Sequence, residues 1–411
     1  MARCRSCGDE LGAPFLSLGT SPLSNSYLTE EDLHEMEPHY PLEVYVCQKC
    51  LLVQLLEFES VKNIFSADYA YFSSYSKTWL EHCRLYVNDV INRFGINGES
   101  FVVEIGSNDG YLLQYFKERG IPLQGVEPAE GAAKAAIDKG IPTDVVFFDT
   151  HYARRIASDG RLADLIVGNN VLAHNPNLNE FVEALRIALK PSGIITLEFP
   201  HLLKLLELNQ FDTIYHEHFS YFSLHSLLLL FRAHHLEVFD VDELSTHGGS
   251  LRIYAKHSGN KSPIITPRVA ELLKKEKNAG LLDLDTYSSF GENVRITKRR
   301  LLDFLIHAKD EGKVVVGYGA PAKGNTLLNY CGIGTDFLEY TVDINPHKQG
   351  KFLPGSRIPI RSPETIFKTR PDYVLILPWN IREEIMEQMQ GIREWGGRFV
   401  IPIPHVQVAS N

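Results

Sequence analysis

Two cysteine pairs near the amino terminus constrain this chain most: Cys4-Arg-Ser-Cys7 and, further on, Cys47-Gln-Lys-Cys50. Each pair can close a tight turn with both sulfurs on one side. Two such turns present four thiolates to one ion, the closed tetrahedral set of a structural zinc site. A disulfide framework is the weaker reading, because the chain holds six cysteines and shows no secretory signal pattern. A redox pair would need only one such motif. The expectation is therefore a zinc module held by Cys4, Cys7, Cys47 and Cys50, with Cys83 and Cys331 as buried thiols. Such modules serve many proteins, so the chemistry has to come from the rest of the chain.

At 411 residues the chain has room for two or three domains. No apolar run is long enough to span a membrane. Its net charge of −10, from 41 basic and 51 acidic residues, opposes broad nucleic-acid binding. The basic cluster Arg295, Lys298, Arg299 and Arg300 reads as a solvated helix face. The expected state is a cytoplasmic monomer without nucleic-acid or membrane partners.

From Phe101 onward apolar strands alternate with helices. Phe101–Ile105, Gln124–Glu127, Asp164–Gly168 and Gly193–Leu197 are candidate strands, and an amphipathic stretch from Thr78 to about Phe94 precedes them. This alternation predicts a parallel sheet covered on both faces. A second series starts downstream with Lys313–Gly319, Tyr340–Asp343 and Tyr373–Leu377, joined to the first by a charged helical stretch over roughly 268–310. The fold class is α/β. A zinc-binding domain is expected over 1–70, a Rossmann-like domain over 71–250, and a smaller doubly wound domain over 251–411.

The turn after the first strand reads Glu104-Ile-Gly106-Ser-Asn-Asp-Gly110. Glycine lets backbone approach a ligand at a helix N-terminus. The spacing departs from the GxGxxG dinucleotide fingerprint. Glu127, ending the next strand, can accept both hydroxyls of a ribose. Asp149, after the third strand, can accept from an adenine amino group. These segments, VEIGSNDG and VEP, resemble the first two motifs of the S-adenosylmethionine-dependent methyltransferases. The resemblance implies that Glu104, Gly106, Asn108, Gly110, Glu127, Asp149 and Asn170 hold the donor, with Glu104 toward its methionine part.

A dense polar group lies at Tyr215-His-Glu-His218, and His174 sits just after a strand. Histidine titrates near neutral pH and a neighbouring carboxylate can tune it, so a base with its orienting partner fits these residue types. A metal site is less apt, because histidines two apart are uncommon partners on a helix. Together with Thr246-His-Gly-Gly-Ser-Leu-Arg252 and Gly317-Tyr-Gly-Ala-Pro-Ala-Lys-Gly-Asn325, the whole chain resembles the nucleotide-sugar C-methyltransferases. These methylate carbon 3 of 4-keto deoxyhexoses. The resemblance implies His218 as general base, with Tyr215, Glu217 and His174 in the same pocket. One tyrosine of the segment 69–75 joins them: Tyr69, Tyr71 or Tyr75, with Tyr75 preferred.

The second glycine turn imitates a dinucleotide turn in outline without a clean third glycine, and Asp343 imitates its ribose acid. Holding the diphosphate of a dTDP- or GDP-linked 4-keto sugar suits it better than a second redox cofactor. Lys323 can meet phosphate as a point charge beside Asn325, with Lys351 and Asn380 as further candidates. The expected cofactors are S-adenosylmethionine and one structural zinc ion, and the chemistry calls for no redox cofactor or catalytic metal. Two other readings stay open: a zinc adaptor that binds S-adenosylmethionine without turnover, and a sugar O-methyltransferase.

Overall fold

The computed structural model describes residues 2–60 and 72–409. Tyr69 and Tyr71 lie outside them. The chain divides into two compact units that do not follow chain order. The first comprises 1–12, 46–203 and 219–282; the second comprises 13–45, 204–218 and 283–411.

The first unit is built on a seven-stranded sheet. Its strands are β1 (Val102–Ile105), β2 (Leu123–Val126), β3 (Thr143–Asp144), β4 (Ala163–Asn169), β5 (Leu189–Pro200), β6 (Leu236–Leu244) and β7 (Ser250–His257), in the order β3-β2-β1-β4-β5-β7-β6. The first five run parallel, and β7 lies antiparallel to β5 and β6. Every residue of β1 and β2 is buried, as expected of strands covered on both faces. The hairpin β6–β7 carries the Thr246–Arg252 motif at its turn, which the strand–helix pattern did not reveal.

Helix Lys77–Phe94 covers one face of this sheet. The Ser76 hydroxyl accepts from the Trp79 amide at its start, and Gly95 in the left-handed region ends it. Trp79, Cys83, Tyr86, Val87 and Val90 recur at helical spacing and enter a core with Tyr111, Phe116, Leu165 and Tyr254. Full burial of each such aliphatic side chain stabilises the unit by about 1.5–3 kcal/mol. Chain order along the sheet runs outward from β1 to β3 and then returns to β4 on the other side. Ligands of such sheets bind outside the carboxyl ends of the strands at this reversal.

The second unit repeats the plan. Strands β8 (Val315–Tyr318), β9 (Thr341–Val342), β10 (Ile360–Arg361), β11 (Tyr373–Ile376), β12 (Arg398–Ile401) and β13 (Gln407–Val408) lie in the order β10-β9-β8-β11-β12-β13. All neighbours are parallel except β12 and β13. Val316, Val342, Ile376, Ile385 and Phe399 anchor its core. The reversal falls between β8 and β11. The charged stretch before it is two helices, Pro267–Asn278 and Leu284–Asp310, broken at a glycine, Gly280, with φ of 84°. Among the described residues no helix is long and apolar enough to cross a membrane.

Candidate functional site

The four predicted metal ligands meet in the first unit. Cys4 Sγ lies 3.5 Å from Cys50 Sγ, Cys7 Sγ lies 3.5 Å from Cys47 Sγ, and all four sulfurs fall within 4.8 Å of one another. A zinc ion with Zn–S bonds of about 2.3 Å requires sulfurs about 3.8 Å apart, so the set fits the metal. Both turns hold by backbone bonds, Gly8 N–H to Cys4 O and Leu51 N–H to Cys47 O, each 2.9 Å. Gln54 Nε2 donates to Cys4 Sγ at 3.2 Å, the kind of outer contact that orients a metal ligand. Among the described residues this is the one His/Cys/Asp/Glu group arranged to hold a metal. His216 instead turns its Nε2 to the Pro41 carbonyl, 3.1 Å away.

At the reversal of the first sheet, Gly106 follows β1 with φ of 64°, and a Cβ there would lie 2.3 Å from Val171 Cγ1. Only glycine fits. Glu127, just past β2, is buried and takes the amides of Asn108 at 2.9 Å and Ala129 at 2.8 Å, one on each oxygen. This fixes the carboxylate against the turn. Burial pushes its pKa up, partly offset by those two amides. Glu104 is fully buried, and neither carboxylate oxygen has a hydrogen-bond partner at good geometry. Burial pushes it well above the usual carboxylate range, with Glu127 and Asp109 adding to the effect and Tyr111 opposing it. A ligand bearing a cationic group and ribose hydroxyls satisfies both acids.

Asn108 accepts the Ser73 amide at 2.9 Å. Asp149 caps helix Thr150–Ser158 through the Tyr152 amide at 2.8 Å. Asn170, at φ of 56°, follows β4 and directs Nδ2 to His247 Nε2 at 3.0 Å, while its Oδ1 is buried without a partner. His247 belongs to the Thr246–Arg252 motif. Two other side chains of the motif converge on Glu198 near the end of β5: Thr246 Oγ1 at 2.8 Å and Arg252 Nη2 at 2.5 Å, joined by His82 Nε2 at 2.9 Å. Burial opposes ionisation of Glu198, but Arg252, His82 and Thr246 outweigh it and hold the carboxyl down at about 2. His174 ends the short turn Leu172–His174 and is half-buried. Tyr75 is 43% exposed, edge-on to Phe72 at 6.1 Å.

In the second unit the acid–base group is assembled on the segment after Phe211–Thr213. His218 Nδ1 lies 3.0 Å from the Thr213 carbonyl, which can only accept, so Nδ1 carries the proton. Nε2 is then the basic nitrogen and accepts from the Tyr215 hydroxyl at 2.8 Å. The two rings lie 4.1 Å apart, and His218 is 7% exposed. The acceptor that orients Nδ1–H is thus a backbone carbonyl. Glu217, buried, has both oxygens 2.8 Å from Asn25 Nδ2, and Asn25 in turn accepts from Tyr27.

At the reversal of the second sheet, Lys323 Nζ donates to Asn380 Oδ1 at 2.7 Å and lies 4.8 Å from the Trp379 ring centre. Trp379 Nε1 donates to Asp212 Oδ2 at 2.6 Å. Burial pulls Lys323 down to about 8 against the attraction of Asp212, and burial pushes Asp212 up to about 6. Asn325 is buried with neither amide atom bonded. A Cβ on Gly319, which has φ of 90°, would meet Pro378 Cδ at 2.5 Å, so the turn packs closely against the end of β11. Asp343 spends its carboxylate on the Ala320 and Asn345 amides, each 2.8 Å. Lys351 acts on Asp32, whose carboxyl is lowered by the Thr29 amide and hydroxyl and, more weakly, by Lys351.

A zinc binding domain family matches residues 4–65, a methyltransferase domain family matches 79–241, and the C-methyltransferase C-terminal domain family matches 245–404. C-methyltransferase NovU of Streptomyces niveus is 38% identical over 99% of this chain and 96% of its own length. The chain belongs to the C-methyltransferases. It is an S-adenosylmethionine-dependent enzyme with an N-terminal zinc module. Among solved structures, a SAM-dependent methyltransferase from Anabaena variabilis is 17% identical, covering 42% of this chain and 84% of that one at a TM-score of 0.36. The magnesium protoporphyrin IX methyltransferase of Synechocystis with bound SAM is 14% identical, covering 44% and 79% at 0.34.

For this C-methyltransferase the sequence pattern missed Thr213, Asn25, Asp212 and His247. Thr213 acts through its carbonyl, which no side-chain motif reports. Asn25 lies 192 positions from Glu217. Asp212 and His247 sit beside recognised motifs, and that proximity was the available signal.

Proposed function

We propose that this enzyme methylates carbon 3 of a nucleotide-linked 4-keto deoxyhexose, dTDP- or GDP-bound, in deoxysugar biosynthesis. The supporting observation is the Tyr215–His218 pair with its fixed tautomer. A carbon nucleophile must be generated before methyl transfer, and a proton beside a ketone is acidic enough for one positioned base to remove. His218 Nε2 is a lone-pair nitrogen, held in place by Nδ1–H on the Thr213 carbonyl.

The Tyr215 hydroxyl donates to that same lone pair. The arriving C4 ketone offers a competing acceptor. Transfer of the Tyr215 hydrogen bond to the ketone oxygen frees Nε2 and, at the same time, places a donor where enolate charge develops. The Gly106–Gly110 turn and Glu127 would hold S-adenosylmethionine, which when bound would supply an electrophilic methyl group and leave as S-adenosylhomocysteine, the proton taken from carbon 3 staying on His218. Lys323, Asn380 and Asn325 hold the diphosphate.

The test is a mass-spectrometric screen of nucleotide 4-keto sugars with S-adenosylmethionine. A gain of one methyl that resists ether cleavage places it on carbon. A methyl that is lost on cleavage, or no turnover with any 4-keto sugar, overturns the reading.

A further inference from the structure

Arg5 lies between two metal ligands yet spends its side chain elsewhere. Its Nη1 donates to the Pro176 carbonyl at 3.2 Å, its Nη2 donates to the Leu55 carbonyl, and its guanidinium covers the Phe219 ring at 5.4 Å. Its backbone amide donates to Gln54 Oε1 at 3.0 Å, and the same Gln54 donates to Cys4 Sγ. Asn179 returns the contact, giving Nδ2 to the carbonyls of Arg5 at 2.8 Å and Ser6 at 3.0 Å.

These bonds bracket one short segment. Pro176 lies two residues after His174, and Asn179 opens the helix Leu178–Ala188. On the other side Phe219 donates its amide to the Ala173 carbonyl at 2.8 Å and accepts from the Leu55 amide at 3.0 Å. The turn carrying His174 is thus tied at residue 173 through Phe219, at residue 176 through the guanidinium, and at residue 179 through the cysteine turn itself. Among the described residues Arg5 makes no hydrogen bond to a carboxylate and its Nε has no partner, although the charge of Glu57 attracts it. Four thiolates around a divalent zinc would leave two negative charges, and this half-buried cation feels the charge of Cys4. A charge placed only for solubility would sit in water; this one bridges the metal turn and a loop.

We propose that Arg5 is a positioning residue that transmits the geometry of the four-cysteine site to the His174 turn, so that the metal module governs turnover as well as stability. This rests on the reading of His174 as a group of the reacting centre.

The test uses the full-length, zinc-loaded enzyme and the variants Arg5→Met and Arg5→Lys. Met keeps an apolar stem on Phe219 and removes every donor. The Met variant is expected to retain one zinc and to bind S-adenosylmethionine within about twofold of wild type. Its kcat is expected to fall about tenfold to a hundredfold, the scale for a slightly misplaced reacting group, with KM for the donor unchanged. Lys restores a charge and donors, and recovers part of the loss. A readout independent of activity is the His174 imidazole resonance, assigned by its loss in His174→Gln. It is expected to shift in Arg5→Met and, in wild type, on removal of zinc by a chelator. Wild-type kcat in the zinc-loaded Met variant, or an unmoved resonance, overturns the proposal. Should Arg5→Met fail to fold, Asn179→Ala cuts the return contact and is read in the same way. If His174→Gln turns over normally while Arg5→Met still shifts the resonance, the positioning stands and the catalytic reading of His174 falls.

Discussion

The Tyr215 hydroxyl and His218 Nε2 lie 2.8 Å apart, and the proton between them belongs to the tyrosine, because His218 Nδ1–H is committed to the Thr213 carbonyl. A base held in this way is ready but covered. The hydroxyl that covers it is also the group best suited to stabilise the charge that deprotonation creates.

Replacing His218 by Asn therefore lowers kcat by about a hundredfold or more, the usual contribution of a positioned base, with both substrates still bound. In deuterated water, with S-adenosylhomocysteine replacing the donor, the wild type is expected to exchange the carbon 3 proton of the sugar and the variant is not. Tyr215→Phe separates the two roles. It uncovers Nε2 but deletes the donor, so exchange slows rather than speeding up. Near-normal turnover by the His218 variant would move the base elsewhere.

Glu127→Ala removes the acceptor of two turn amides as well as the proposed ribose acceptor. The expected loss in donor affinity is about 1–3 kcal/mol by calorimetry, the range for hydrogen bonds to a charged group. An unchanged affinity would place the ribose elsewhere.

Glu104 provides a pH signature at the same turn. Burial raises its pKa in the free protein, so it holds a proton above the ordinary carboxylate range. A cationic ligand favours the ionised form, so binding releases that proton. Affinity for S-adenosylmethionine then increases as pH rises from the ordinary carboxylate range toward the raised value, and levels off above it. Glu104→Gln flattens this profile. A wild-type profile as flat as that of the variant would count against the assignment.

Lys323 predicts the opposite slope for the nucleotide sugar. Its pKa is depressed to about 8, and only the ammonium form attracts phosphate. Affinity is full below about 8 and falls as pH rises through that value, whereas Lys323→Met binds weakly at every pH. Titration of dTDP or GDP at pH 7 and 9 discriminates the two.

Cys47→Ser opens the metal set. Zinc content drops from about one equivalent toward none, and the N-terminal module loses order, while S-adenosylmethionine binding at the Gly106–Gly110 turn persists. Metal analysis with calorimetry checks both halves. A variant that keeps its zinc overturns the ligand assignment.

Much of this protein was legible along the chain because the relevant physics is local. Two residues between paired cysteines set a turn, so the zinc set followed from spacing alone. A buried strand, a glycine turn, a helix and an acid ending the next strand lie within about 25 residues, and Gly106 and Glu127 fell where that pattern put them. Other partnerships depend on which surfaces meet in space, and no window of sequence encodes that. Glu217 stands out in the sequence beside His218, but its contact with Asn25, 192 positions away, could not be read there. Lys323 and Lys351 share a residue type and a domain, but only Lys323 joins Asn380 and Trp379 at the sheet reversal. The grip of Arg5 on Pro176, 171 positions away, was likewise settled by tertiary packing, whereas the tautomer of His218 rests on Thr213 and Tyr215, both within five residues. The sequence determined which chemical groups the chain possesses and the strand–turn–helix units that carry them. The tertiary structure decided which of those groups are desolvated together, and desolvation is what lowers a lysine such as Lys323 toward neutrality.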